Sequence, residues 1–272
     1  MKAVFEIIPD YIVADRCELV CEVSNEGFSY LIKDSGAKMF IGSGVYHFNN
    51  IIGGNYGLAL SKIFQQTESL SENYKKVQVI YSFPESVLIP FSLYNSRNNA
   101  EVLNMVHGDF TENDAILTDV LLKSKVYNCY RIPSEISREI HNKFPSCEAL
   151  HQYSFLMNSL LANSNRLSVI FYPQKIVLSV EKDGKILLIN SFQYKTAEDV
   201  SYTLLNICRQ FEIEKIPVEV SGLIEKDSAL YKEIYKYFDQ VSFPKLPKEI
   251  NFSEEMNKYP VHFFSHFFAV DS

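Results

Sequence analysis

Leu167-Ser-Val-Ile-Phe-Tyr-Pro-Gln-Lys-Ile-Val-Leu-Ser-Val-Glu-Lys-Asp-Gly-Lys-Ile-Leu-Leu-Ile189, with its continuation to Phe238, decides how this chain reads. Leu167–Tyr172, Lys175–Val180 and Lys185–Ile189 are short runs of aliphatic and β-branched residues, which predict three strands. Asp183-Gly184 between the last two is the dipeptide of a two-residue hairpin, whose turn positions both need positive φ. Thr196 with Asp199 three residues on predicts a capped helix, and Val200, Leu204, Ile207, Cys208 and Phe211 recur on one face of it. Pro217–Gly222 predicts a fourth strand. Asp227 then caps a last helix that buries Leu230, Ile234, Tyr237 and Phe238. The order is three strands, a helix, a strand and a helix.

The same order stands earlier in the chain. Arg16–Val23, Phe28–Lys33 and Lys38–Phe48 predict strands separated by the turns Ser24–Gly27 and Asp34–Ala37. Gly42 and Gly44 inside the third predict bulges or a close backbone approach. Gly53-Gly54 precedes a helix over Tyr56–Gln66 that buries Leu58, Leu60 and Phe64, and Lys76–Tyr81 is the fourth strand. Three antiparallel strands feeding a crossover to a parallel one form a mixed sheet. Two such units predict an α/β protein of two lobes, residues 1–163 and 164–272, each in βββαβα order. Between them lie an apolar run from Ser86 to Tyr94 broken by Pro90, a segment from Glu112 to Lys123 that fits neither period, and a strand over Lys125–Arg131. A short helix follows, capped by Ser134 and burying Ile136 and Ile140. A longer helix from Pro145 carries Leu150, Tyr153, Met157, Leu160 and Leu161. The second lobe closes on an aromatic helix after Pro260.

Composition narrows the function. The net charge of −7 and the lack of any basic run argue against a nucleic-acid partner. No run reaches the roughly 20 apolar residues of a membrane span. The acidic, short N-terminal stretch Met1–Asp10 does not read as a signal peptide. Five cysteines, Cys17, Cys21, Cys129, Cys147 and Cys208, show no paired spacing and mostly lie in apolar patterns. That usage predicts buried, reduced thiols and a cytoplasmic address. The 20 Phe and 17 Tyr without a Trp predict an aromatic core or an aromatic docking surface.

Val87-Leu-Ile-Pro90, Leu93-Tyr94 and Val126-Tyr-Asn-Cys-Tyr-Arg-Ile-Pro133, with the Leu167–Phe238 unit and the aromatic C-terminus, carry a resemblance. The chain resembles the uncharacterised bacterial family called domain of unknown function 3822, and its paired βββαβα order resembles the actin-like ATPase fold of sugar kinases, heat-shock chaperones and actin. The resemblance implies that fold and brings no activity with it. Active members of the fold place an Asp-x-Gly turn in the first hairpin of each lobe, where carboxylates organise Mg²⁺ and amides hold phosphates. Here the first hairpin is Val23-Ser-Asn-Glu-Gly27, and the second is Phe171-Tyr-Pro-Gln174, whose Pro173 removes an amide. The paired glycines that end the adenosine-binding strand are reduced to Gly222 after Ser221. Asn25, Glu26, Gly27, Gln174, Ser221 and Gly222 are the positions where a nucleotide would sit. Their chemistry predicts no catalytic residue and no required cofactor.

The remaining constellations are sparse. His262 and His266 are spaced as metal ligands on a helix would be, but no glutamate follows His262 and no third ligand is identifiable. Gly42-Ser-Gly44 matches no phosphate-binding loop. Phe263, Phe264, Phe267 and Phe268 fall at helical spacing, suited to docking on the protein's own core or on a partner. The sequence therefore predicts a non-catalytic scaffold that binds a protein partner, or a second copy, through the interlobe cleft or the aromatic C-terminus. The competing expectation is a divergent nucleotide-dependent phosphotransferase or ATPase using ATP and Mg²⁺ in that cleft.

Overall fold

Alternating apolar residues and tight turns build the first sheet of the computed structural model, which describes residues 3–48, 55–109, 113–159, 165–245 and 248–271. After β1 (Phe5–Ile7) come three antiparallel strands, β2 (Cys17–Val23), β3 (Gly27–Asp34) and β4 (Met39–His47). Helix α1 (Tyr56–Gln66) then crosses over to β5 (Lys76–Tyr81), which pairs parallel to β2. The bulge expected near Gly42 is present, since the β3–β4 register slips between Ile32 and Lys33. Buried Leu19, Tyr30, Leu60, Ile63 and Val79 fill the space between sheet and helix.

An insertion follows. β6 (Ser86–Pro90), β7 (Asp114–Leu121) and β8 (Val126–Pro133) form a separate antiparallel sheet in the order β6–β8–β7, with α2 (Asn99–His107) against it. The segment that fits neither period in the sequence is thus strand β7. Arg131, almost fully buried, ties this insertion together. Its guanidinium donates to the Glu85 carboxylate, to Asn104 Oδ1 at 3.2 Å and to Gly108 O at 3.1 Å. α3 (Ser134–Lys143), β9 (Glu148–His151) and α4 (Gln152–Asn158) complete the run. The single long helix expected from Pro145 is therefore a parallel strand beside β5 followed by a short helix. Leu150 belongs to the strand, while Tyr153 and Met157 belong to the helix.

The second unit repeats the frame. β10 (Arg166–Phe171), β11 (Lys175–Lys182) and β12 (Lys185–Gln193) are antiparallel, and α5 (Ala197–Gln210) crosses to β13 (Val218–Gly222), parallel to β10. The predicted hairpin is there, with Asp183 at φ 53° and Gly184 at φ 71°. So is the capping box: Thr196 Oγ1 accepts from Asp199 N, and Asp199 Oδ2 accepts from Thr196 N. α6 (Ala229–Tyr235) and β14 (Val241–Ser242) close the unit. Ser228, not Asp227, caps α6, and Tyr237 lies exposed beyond it. Leu58 of α1 is likewise exposed, because Ala59, Ile63 and Phe64 form the inward face instead.

The two sheets share one strand order. It is β4–β3–β2–β5–β9 in the first and β12–β11–β10–β13–β14 in the second. By packing, the chain divides into Met1–Asn158 with Glu249–Lys258, and Ser159–Lys248 with Tyr259–Ser272. The simple division into 1–163 and 164–272 misses the return of residues 249–258. β15 (Asn251–Phe252) pairs parallel to β4, and its Phe252 ring packs edge-on against Phe40 with centroids 5.9 Å apart. The predicted Gly53-Gly54 break, Glu112, Leu160, Leu161 and the 163/164 boundary lie outside the described residues.

Candidate functional site

In open α/β sheets, ligands bind beyond the carboxyl ends of the parallel strands. Those ends are reached in the first unit at Val23, Tyr81 and His151, and in the second at Phe171 and Gly222. Whether a phosphate fits there depends on whether backbone amides are left to hold it.

In the β2–β3 turn they are engaged. Ser24 Oγ accepts from Glu26 N at 3.1 Å and Gly27 N at 3.3 Å, and Ser24 N donates to Gly27 O at 2.9 Å. The serine hydroxyl thus occupies the place an anion would take. Asn25 is exposed and Glu26 and Gly27 are half-buried. Gly27 has its own structural reason, since a Cβ there would lie 2.2 Å from Tyr46 O of β4. The β10–β11 turn is closed in another way. Tyr172 N donates to Lys175 O at 2.9 Å, Pro173 has no amide, and Gln174 is exposed. Lys175 is buried with its ammonium 5.0 Å from the centre of the Tyr172 ring, a cation–π contact.

The end of β13 is occupied by the chain itself. Gly222 has φ +77°, and a Cβ there would stand 2.3 Å from Phe171 O, so the close parallel approach of β10 requires glycine. Residues Val261–Phe263 and Ser265–Asp271 form 3₁₀ turns packed on β13, in place of the α-helix expected after Pro260. His262 Nε2–H donates to Ile224 O at 2.7 Å, and its ring stacks on Phe243 with centroids 4.1 Å apart. Burial pushes the His262 pKa down from its ordinary value. Phe264 and Phe267 are buried, and Phe263 and Phe268 are half-buried. The aromatic rows therefore serve the protein's own core at two of the four positions. His262 and His266 fall in two separate 3₁₀ segments and not on the one α-helix that their i, i+4 spacing as a ligand pair assumed. His266 instead packs against Tyr172 and Phe267.

A polar cluster that sequence reading missed lies at the same end of the first sheet. Ser82 Oγ donates to Gln152 Oε1 at 2.7 Å, and Gln152 Nε2 reaches Glu22 Oε1 at 3.5 Å, all three side chains being buried. Next to it His151 Nε2–H donates to Phe83 O at 2.8 Å, and its Nδ1 accepts from Tyr153 N at 3.1 Å. Asp119 accepts from His151 N and from the Tyr130 hydroxyl, and burial raises its pKa. These residues come from separate strands and α4, so no local motif announces them. Among the described residues no three His, Cys, Asp or Glu side chains gather as metal ligands, and the cysteines are free thiols.

Paired sheets of identical strand order with an inserted subdomain define the actin-like ATPase fold, and solved structures agree. A protein of unknown function with that fold from Bacteroides thetaiotaomicron matches with a TM-score of 0.72 at 21% identity, over 87% of this chain and 94% of that one. A chain of the PilM–PilN type IV pilus biogenesis complex matches with a TM-score of 0.57 at 10% identity, over 93% and 96%. No curated protein matches the sequence. The chain belongs to the protein family of unknown function DUF3822, whose profile matches residues 10–241. None of the helices described is long and apolar enough to cross a membrane.

Proposed function

We propose that this protein is a non-catalytic member of the actin-like group that works in the cytoplasm by binding another protein and takes no nucleotide. The observation that supports this reading most directly is the state of the two phosphate turns. Ser24 Oγ engages the amides of one, and Pro173 with the Tyr172–Lys175 bond closes the other. Binding a triphosphate would require breaking these bonds before any new one formed, and neither of these two turns carries an Asp-x-Gly to bring Mg²⁺, the chain's Asp34-Ser35-Gly36 lying in the β3–β4 turn instead. The tail over β13 adds an apolar, filled surface where an adenosine would be expected. The pilus-biogenesis complex offers a precedent for this fold within a protein assembly.

Thermal unfolding with Mg²⁺-ATP, ADP and GTP at millimolar concentration tests the reading. A ligand at about 100 times its Kd would add about 2.7 kcal/mol, a shift of several degrees. The expected result is no shift with any of the three. A reproducible rise with one of them replaces the binding protein with a nucleotide-dependent enzyme.

A further inference from the structure

The insertion carries an apolar surface at one end of its sheet. Val120, Tyr127 and Ile89 stand side by side across β7, β8 and β6. Tyr127 in turn meets the two aromatic residues that follow β6. Tyr94 stacks on it with centroids 3.7 Å apart, and Phe91 lies 4.8 Å away. Phe91 N donates to Lys125 O at 3.0 Å and Lys125 N to Leu122 O at 3.3 Å, so the 3₁₀ turn Phe91–Leu93 is tied to the β7–β8 turn. Leu93 and Leu122 are each 74% exposed and Val120 is 52% exposed, with Phe91 exposed beside them. Single exposed apolar residues are ordinary, but a connected group of them marks a contact surface.

The charges in these segments have one sign. From Pro90 to Asn98 and from Val120 to Tyr127 the charged residues are Arg97, Lys123 and Lys125, all exposed. Among the described residues none of the three stands in a salt bridge. The acids that flank the segments are Asp119 and Glu101. Asp119 turns its carboxylate to His151 N and the Tyr130 hydroxyl, and Glu101 stands exposed in the first turn of α2. In a chain of net charge −7 this is a local reversal of sign.

We propose that the β7–β8 turn, with Phe91 and Leu93, is a membrane-surface contact. Its apolar side chains enter the headgroup boundary of an anionic bilayer, while Lys123, Lys125 and Arg97 meet the lipid charges. Exposed leucines and an aromatic ring beside lysines are the chemistry of interfacial binding. The turn closes the end of the sheet, so these side chains stand on a convex surface. A fluid bilayer accepts such a surface, whereas a folded partner would have to match it with a groove. At physiological salt, charges more than about 8 Å away are largely screened, so the local cations outweigh the distant acids of the chain. The contact goes beyond the protein-binding reading and involves no nucleotide, so either can fail while the other stands.

The test is flotation of the full chain with vesicles of phosphatidylcholine alone or mixed with phosphatidylglycerol. Binding to the mixed vesicles alone is expected, and it should fall several-fold as salt is raised from low to physiological concentration. Changing Leu93 and Leu122 together to Ser alters two exposed side chains, so it should leave Tm nearly unchanged and weaken binding about ten-fold or more. Lys123→Glu should weaken it several-fold, while Lys182→Glu in the second unit, also exposed, should not. No binding to the anionic vesicles overturns the proposal and leaves the patch to a protein partner. Binding that neither the leucine pair nor Lys123→Glu weakens overturns it as well. Should the leucine variant unfold, Lys123→Glu against Lys182→Glu decides alone.

Discussion

β4 and β12 hold the same position in two sheets of the same order, yet among the described residues β4 pairs with strands on both sides and β12 pairs with β11. The covering of β4 comes from segments far apart in sequence, Phe5–Ile7 and Asn251–Phe252. The carboxyl ends of the strands show the reverse economy of means. In the first unit they meet a buried polar cluster around Gln152, and in the second they meet an apolar tail anchored by His262. One frame thus accommodates opposite finishes, and the frame alone does not define a site.

The sharpest way to break the comparison is at Gly222. Gly222→Val sets a branched side chain at positive φ and into the Phe171 backbone, costing about 3 kcal/mol or more, and thermal unfolding should show it at once. Next is Phe252→Ala, which removes the ring packed on Phe40 and should cost about 3 kcal/mol. Hydrogen exchange should then rise in Met39 and Phe40 while β12 keeps its wild-type rates. Thr196→Ala deletes one half of the α5 capping box and should cost about 1 kcal/mol, seen as a lower denaturation midpoint. The smallest expected effect is in pH. His262 is held neutral, with a pKa below the ordinary 6.5, so the unfolded chain takes up a proton first as pH falls. The tail's contribution is complete above about pH 6.5 and declines as pH drops through the folded-state value. His262→Gln should flatten that slope in thermal unfolding measured between mildly acidic and neutral pH, and an unchanged slope would place its origin elsewhere.

The repeated βββαβ order was legible because each piece carries a local signal. Asp183-Gly184 forces a hairpin, Thr196 and Asp199 cap a helix, and Leu19, Cys21 and Val23 alternate as a strand must. Glu148–His151 was not, because Leu150, Tyr153 and Met157 happen to stand at helical intervals across a strand–helix junction. The aromatic tail misled in the same way, since its segments pack on β13 as 3₁₀ turns and not as an α-helix. β1 and β15 are too short to have any period. Of the site, the loss of the Asp-x-Gly turns could be read directly. The engagement of their amides could not, because it depends on where the Ser24 hydroxyl and the Lys175 carbonyl come to rest.

The return of Glu249–Lys258 to the first unit bears on how the protein is made. On a ribosome the first sheet can gather most of its strands early, but the strip of β4 facing Asn251 and Phe252 must wait until nearly all of the second unit has been synthesised. Until then Met39 and Phe40 present an uncovered apolar margin to the cell. Chaperone engagement and any misassembly of the nascent chain should concentrate there, and slowing translation downstream of β14 should lengthen that exposure.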